Sequence, residues 1–99
     1  MVDPGLRAPL HSSAPGKAIW AFLPDAQRDA ILGRAQFTPL TSHTITTREA
    51  MVEELQRARA TGYAIDRGEG IDGCHCVAAP VLDHRNYPLA AIWVSGPAN

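Results

Sequence analysis

Cysteine is scarce in this chain of 99 residues: there are two, and they sit two positions apart at Cys74 and Cys76. So close a pair leaves no long loop for a disulfide to close, which excludes the cystine framework of small secreted domains and points to reduced thiols. Cations are also few and dispersed, with nine Lys and Arg set singly among ten Asp and Glu for a net charge of −1. Nucleic-acid affinity comes largely from clustered cations that neutralise phosphates, so no direct nucleic-acid contact is expected of this segment. No apolar run approaches the roughly 18 residues of a membrane span, and the opening MVDPGLRAPL lacks the charged-then-apolar layout of a signal peptide. A cytoplasmic location without a membrane partner is the expectation.

What is present is the composition of a globular domain, 45% apolar and 19% charged. A chain of this length buries only about two thirds of its unfolded surface, so residues 1–99 are expected to form one domain with one small core.

Residues 1–13 carry two prolines, a glycine and two serines and read as an extended lead-in. In HSSAPGKAIWAFL, Ser13 or Ala14 is placed to cap a helix over roughly 15–23, because proline is welcome in a first helical turn. Ala18, Ile19 and Phe22 give that helix an inner face. A second, short helix restarts at Pro24, with Asp25 where the helix dipole favours negative charge. The spacing Thr46-x-x-Glu49 fits a capping box for a third helix, Thr47 to Thr61, with Met51, Val52, Leu55 and Ala58 on one side and Gly62 as its stop. GYAID then reads as a short strand. CHCVAAPVLD and YPLAAIWVSG read as an antiparallel hairpin around the turn HRN. Helices first and strands later predict an α+β fold, a mostly antiparallel sheet with helices packed on it.

The triplet Cys74-His75-Cys76 invites a metal or redox reading, and strand alternation argues against both. Cys74, Cys76 and Ala78 fall on one face and His75 and Val77 on the other, so the triplet cannot close around one ion. A structural zinc site needs four ligands, and His11, His43 and His84 have no paired spacing with the cysteines. The usual dithiol motif separates its cysteines by two residues at a helix start, which is not the case here. A nucleophilic Cys76 with Asp66 as base lacks a placed histidine. No metal, cofactor or catalytic residue is therefore predicted, and a buried free cysteine is most often an apolar filler.

The ordered segments APLHSSAPGKAIWAFLP (8–24), TITT with the helix after it, RATGYAIDRGEGIDGCHCVAAPVLD (59–83) and LAAIWVSGP (89–97) resemble the effector-binding domain of IclR-type bacterial transcription regulators. The combination LH-x-x-A-x-GKA, GYA-x-D, G-x-x-C-x-AAPV and SGP covers nearly the whole chain in register. The resemblance implies a GAF-like sensor fold that binds a small metabolite, commonly an organic acid, and alters DNA binding by a separate N-terminal winged helix. Against the family, this chain begins in mid-domain and stops at SGP. The expectation is a partial domain, without the winged helix, the first helix and strands of the sensor, or its closing helix.

Carried over position by position, the acid-binding backbone at the start of the GKA helix corresponds to Ser13, Ala14, Pro15 and Gly16, in keeping with the anion affinity of helix N-termini. Pro15 has no N–H, so a contact through that amide is lost, and Gly16, Lys17 or the Ser13 hydroxyl would have to substitute. The acidic residue of GYA-x-D corresponds to Asp66, and the pocket cysteine to Cys76, leaving Cys74 without a task. Of two small hydroxyl positions on the last strand, Ser95 keeps one and Trp93 occupies the other. Alternation sets Leu89, Ala91, Trp93 and Ser95 on one face. Trp93 then either forms an aromatic pocket wall or packs in the core, and Asp66 either faces the ligand or caps a turn beside Gly68.

Two functional readings follow. One is a non-enzymatic sensor for a small carboxylate metabolite. The other is an assembly remnant that binds no ligand and forms a homo-oligomer, because an open sheet edge invites another copy.

Overall fold

The computed structural model describes residues 10–97. The lead-in predicted over residues 1–13 lies outside them as far as residue 9. The order is α1 (Ala14–Phe22), α2 (Asp25–Arg34), α3 (Arg48–Thr61), β1 (Ala64–Arg67), β2 (Cys74–Leu82) and β3 (Pro88–Pro97). The strands form one antiparallel sheet in the order β1-β2-β3, which gives the predicted α+β architecture.

Local chemistry explains the boundaries. Ser13 caps α1, its side chain accepting from the Gly16 amide at 3.1 Å. Leu23 ends the helix in extended geometry, as a residue before proline must. The capping box expected at Thr46 is shifted by one: Thr47 is the cap of α3 and its hydroxyl accepts from Ala50 N–H at 3.2 Å, leaving Glu49 in the first turn. Gly62, at φ 92°, closes α3 with its amide donating to Ala58 O. The hairpin turn is organised by Asp83, whose carboxylate accepts from the amides of Arg85 and Tyr87 at 2.8 and 3.0 Å. Asn86 supplies the left-handed residue there, at φ 63°.

α1 is buried from Ala14 through Ala21, not on one side only, because it lies against all three strands and also against α3. Ala14, Ala18 and Ala21 on the helix, with Ala64, Ala78 and Ala91 on the sheet, are all buried and small enough for close approach. Trp20, Met51 and Leu55 fill the space around them, and the Trp20 indole donates to Arg28 O at 3.2 Å. The opposite face of the sheet is open, with Val77, Val81, Ile92 and Val94 all exposed.

One strand expectation needs correction. Leu82 pairs with Pro88 and Val81 with Ala90, so Leu89 is the extra residue of a bulge. It therefore leaves the face of Ala91, Trp93 and Ser95 and is half exposed, while Ala90 and Ala91 are both buried.

Candidate functional site

The register lays three of the predicted site residues across the sheet in a single row: Asp66 opposite Cys76, and Cys76 opposite Ser95. Asp66 and Cys76 are buried and Ser95 is exposed. Trp93 stands one row further on, opposite Ala78, and packs half-buried against the core cluster. Burial, then the carboxylate of Asp66, then Cys74 push the Cys76 thiol above its ordinary pKa. His75 is exposed on the other face, as alternation requires.

Beside this row lies a cavity of about 320 Å³ lined by Ser12, Ser13, Leu40, Asp66, Gly70, Ile71 and Cys74. It joins the start of α1 to the loop between β1 and β2. Of the expected residues it brings Ser13 and Asp66 together; Ala14, Pro15 and Gly16 are buried behind them in the first turn of α1. Cys74, which the sequence left without a task, is on the cavity wall, whereas Cys76 and Ser95 border a separate, shallow groove with Ile65 and Pro97.

The helix-start amides are already engaged. Gly16 N–H donates to Ser13 Oγ and Lys17 N–H to Ser13 O at 3.0 Å, so neither of these two is at hand for a ligand. The glycines at this junction are set by close approach. A Cβ on Gly16 would lie 2.7 Å from Ser13 Oγ and 2.9 Å from Leu10 Cα, and one on Gly70 would lie 2.9 Å from Ser12 O.

Asp66 does the turn-capping that its type suggests and also faces the cavity: its Oδ1 accepts from Glu69 N–H at 2.7 Å. Around it the loop is clamped from several sides. Thr44 Oγ1 donates to Glu69 O and Thr41 Oγ1 to Gly68 O, while Thr44 Oγ1 accepts from the amides of Leu40 and Thr41, which places Leu40 at the wall. Beneath, the fully buried Lys17 ammonium meets Glu54 Oε2 at 2.7 Å, Glu69 Oε1 at 2.8 Å and the Ile65 carbonyl. Two carboxylates and a carbonyl around one ammonium satisfy a charge that would otherwise be costly to bury. The lysine of the GKA segment thus ties α1 to α3, β1 and the cavity loop.

Among the described residues, no three His, Cys, Asp or Glu side chains gather closely enough to hold a metal ion, and no helix is long and apolar enough to cross a membrane. His11, considered as a metal ligand, is instead buried on Phe37 with its Nε2 2.9 Å from Thr38 O.

Comparison with known proteins gives a consistent picture. The family model described as bacterial transcriptional regulator IclR C-terminal matches residues 2–99. The HTH-type transcriptional regulator XynR of Escherichia coli is 40% identical over 91 residues, which are 92% of this chain and 36% of XynR. The crystal structure of IclR from Thermotoga maritima superposes with a TM-score of 0.86 at 39% identity, covering 90% of this chain and 36% of that one. An inducer-binding domain of the transcription factor PobR from Acinetobacter, solved as a double mutant in complex with 3-hydroxybenzoic acid, superposes at 0.83 with 26% identity, over 94% of this chain and 55% of that one. The chain thus spans about a third of the length of the full regulators it matches.

Proposed function

Because the chain belongs to the IclR family of bacterial transcriptional regulators, within their C-terminal effector-binding domain and not among enzymes, we propose that its cavity between α1 and the β1–β2 loop binds a small metabolite bearing a carboxylate. The observation that carries this reading is the meeting of Ser13 and Asp66, far apart in sequence, on one cavity of about 320 Å³, a volume at the low end of small-molecule sites. Leu40, Ile71 and Cys74 make the apolar part of its wall. Asp66 is an acceptor, so the ligand group nearest it is a donor such as a hydroxyl, with the acid group directed across the cavity to Ser12. That the PobR domain was solved with a hydroxy acid supports a ligand carrying both kinds of group.

Cys76, Ser95 and Trp93 contribute from the adjoining sheet rows rather than from the cavity wall. In a full-length regulator of this family, occupancy would change DNA binding by a winged-helix domain in the cytoplasm, while a segment like this one makes no contact with DNA itself. Residues 1–99 act here as one, partial, effector-binding domain. Thermal-shift measurement against small hydroxy, keto and aromatic acids tests the reading. A rise in melting temperature that saturates with one such acid supports it, and no shift with any acid from a folded sample refutes it.

A second reading, self-association, is favoured by the open sheet face. Val77 pairs with Val94 and Ala79 with Ile92, and with the exposed Val81 they make a strip without charge that a two-fold axis would match to itself. These residues can assemble a homo-oligomer whether or not the cavity is filled.

A further inference from the structure

The helices enclose a second cavity, of about 350 Å³, which shares no lining residue with the one at Asp66. It lies between α2 and α3. Of the ten residues of α2, Leu32 alone is buried, and side-chain contacts tether this helix to α3 near both ends. At one end Arg48 Nε donates to Leu32 O at 3.0 Å, and at the other Arg59 stands 3.6 Å from Asp25.

Between those tethers the surface is divided by chemistry. Val52, Leu55, Gln56 and Arg59 recur at helical spacing along one face of α3, and Arg28, Asp29 and Leu32 face them from α2. Leu32, Val52 and Leu55 give an apolar floor, with Leu32 and Leu55 themselves buried. Charge is confined to the rim, where two guanidiniums face one carboxylate. Arg28 is held by Asp25 at 3.1 Å and Asp29 at 3.2 Å. Arg59 is held loosely: its contacts to Ala21 O, Leu23 O and Asp25 are 3.4, 3.4 and 3.6 Å. A guanidinium carries five N–H donors in a fork that matches a carboxylate, and contacts this long leave most of that capacity unspent.

We propose that the α2–α3 cleft is a second small-molecule site, which takes an amphipathic monoanion such as an aromatic carboxylate. The ring lies on Leu32, Val52 and Leu55, and the carboxylate engages the fork of Arg59 beside Gln56. With Asp25 reaching both guanidiniums the rim charges balance, so the loosely held fork of Arg59 is what selects an anion, and the apolar floor selects against small, fully hydrated ones such as acetate.

Titration of the full chain with 2-naphthoate and with the neutral 2-naphthamide, followed by methyl NMR, tests the site. Naphthoate is expected to produce saturable shifts at Leu32, Val52 and Leu55, and naphthamide to bind about tenfold more weakly for want of the charge-assisted pair. Arg59→Gln should lower naphthoate to the level of naphthamide without changing naphthamide itself. Val52→Trp, at a half-buried position on the cleft wall, should fill the space and remove both. Absence of saturable shifts, equal binding of acid and amide, or shifts at Leu40 and Ile71 in place of the cleft methyls would each overturn the proposal. The comparison of acid with amide uses the unaltered chain, so it decides the matter even where a variant fails to fold. Because the two cavities share no residue, the outcome is independent of binding at Asp66.

Discussion

Lys17 Nζ lies 2.8 Å from Glu69 Oε1, with the lysine side chain wholly buried and the glutamate nearly so. This ion pair joins the first helix to the loop that closes the candidate pocket, and Glu54 completes it from α3 at 2.7 Å. The same Glu69 presents its amide to Asp66 and its carbonyl to Thr44. The pocket carboxylate and the core charge are therefore held by one residue.

Removing the cation takes the shared charge from two buried carboxylates, leaving Glu54 with Arg57 at 2.9 Å and Glu69 with the Arg67 amide at 3.1 Å. Lys17→Met is expected to destabilise the fold by about 3–5 kcal/mol in urea denaturation. Adding Glu69→Gln to it should cost less than the sum of the two single changes, because the two side chains share one interaction.

The start of α1 gives a graded pair of outcomes. Ser13→Ala removes the cap that holds the Gly16 amide and should cost about 1 kcal/mol. Gly16→Ala drives a Cβ to 2.7 Å from Ser13 Oγ and 2.9 Å from Leu10 backbone, so it loses the cap geometry and adds a clash of about 1–3 kcal/mol. Thermal melts should rank the glycine variant as the less stable.

The two cysteines should separate by reactivity. Cys76 is buried, and its thiol is held above the ordinary pKa by burial, by Asp66 and by Cys74, whereas Cys74 is half-buried on the cavity wall. Iodoacetamide near neutral pH is expected to label Cys74 first, and Cys74→Ser should remove the faster phase. The folded state keeps the Cys76 proton after the unfolded chain has lost it. Stability from this group is thus full below the ordinary thiol value and falls as pH rises from there through the raised value.

On the open face, Val94 is 75% exposed and pairs with Val77. Val94→Lys should leave folding stability within about 0.5 kcal/mol while abolishing any concentration-dependent assembly seen by sedimentation. Assembly unchanged by this substitution would place the contact elsewhere.

Much of the architecture was legible in local signals. Ser13 before Ala-Pro, Gly62 after a periodic helix, and the turn HRN between two β-rich runs each mark where an element starts or stops, although Asp83, read as the end of its strand, turned out to organise that turn. The bulge at Leu89 was not, because strand register is decided by pairing across the sheet and by which face is buried. The site shows the same division. Asp66 and Ser13 stood out by motif, but Leu40 reaches the wall only through the Thr44 turn, and Cys74 gains its place from the loop at Gly70. Nothing local in the sequence marks Glu54 and Glu69 as partners of Lys17, which stood only as a substitute ligand contact at the helix start. Only the fold reveals that they are buried, since their partners come from three different elements.

The central claim is that a small acid occupies the cavity shared by Ser13 and Asp66, and titration calorimetry with an Asp66→Asn control tests it most directly. Asparagine retains an oxygen to accept from Glu69 N–H and so preserves the loop while removing the charge. At least one hydroxy, keto or aromatic acid should bind the unaltered chain saturably, and the Asn variant should change its affinity about tenfold, the weight of a charged hydrogen bond. Binding that is identical in both proteins, or no heat of binding from any acid to a folded sample, would contradict the account.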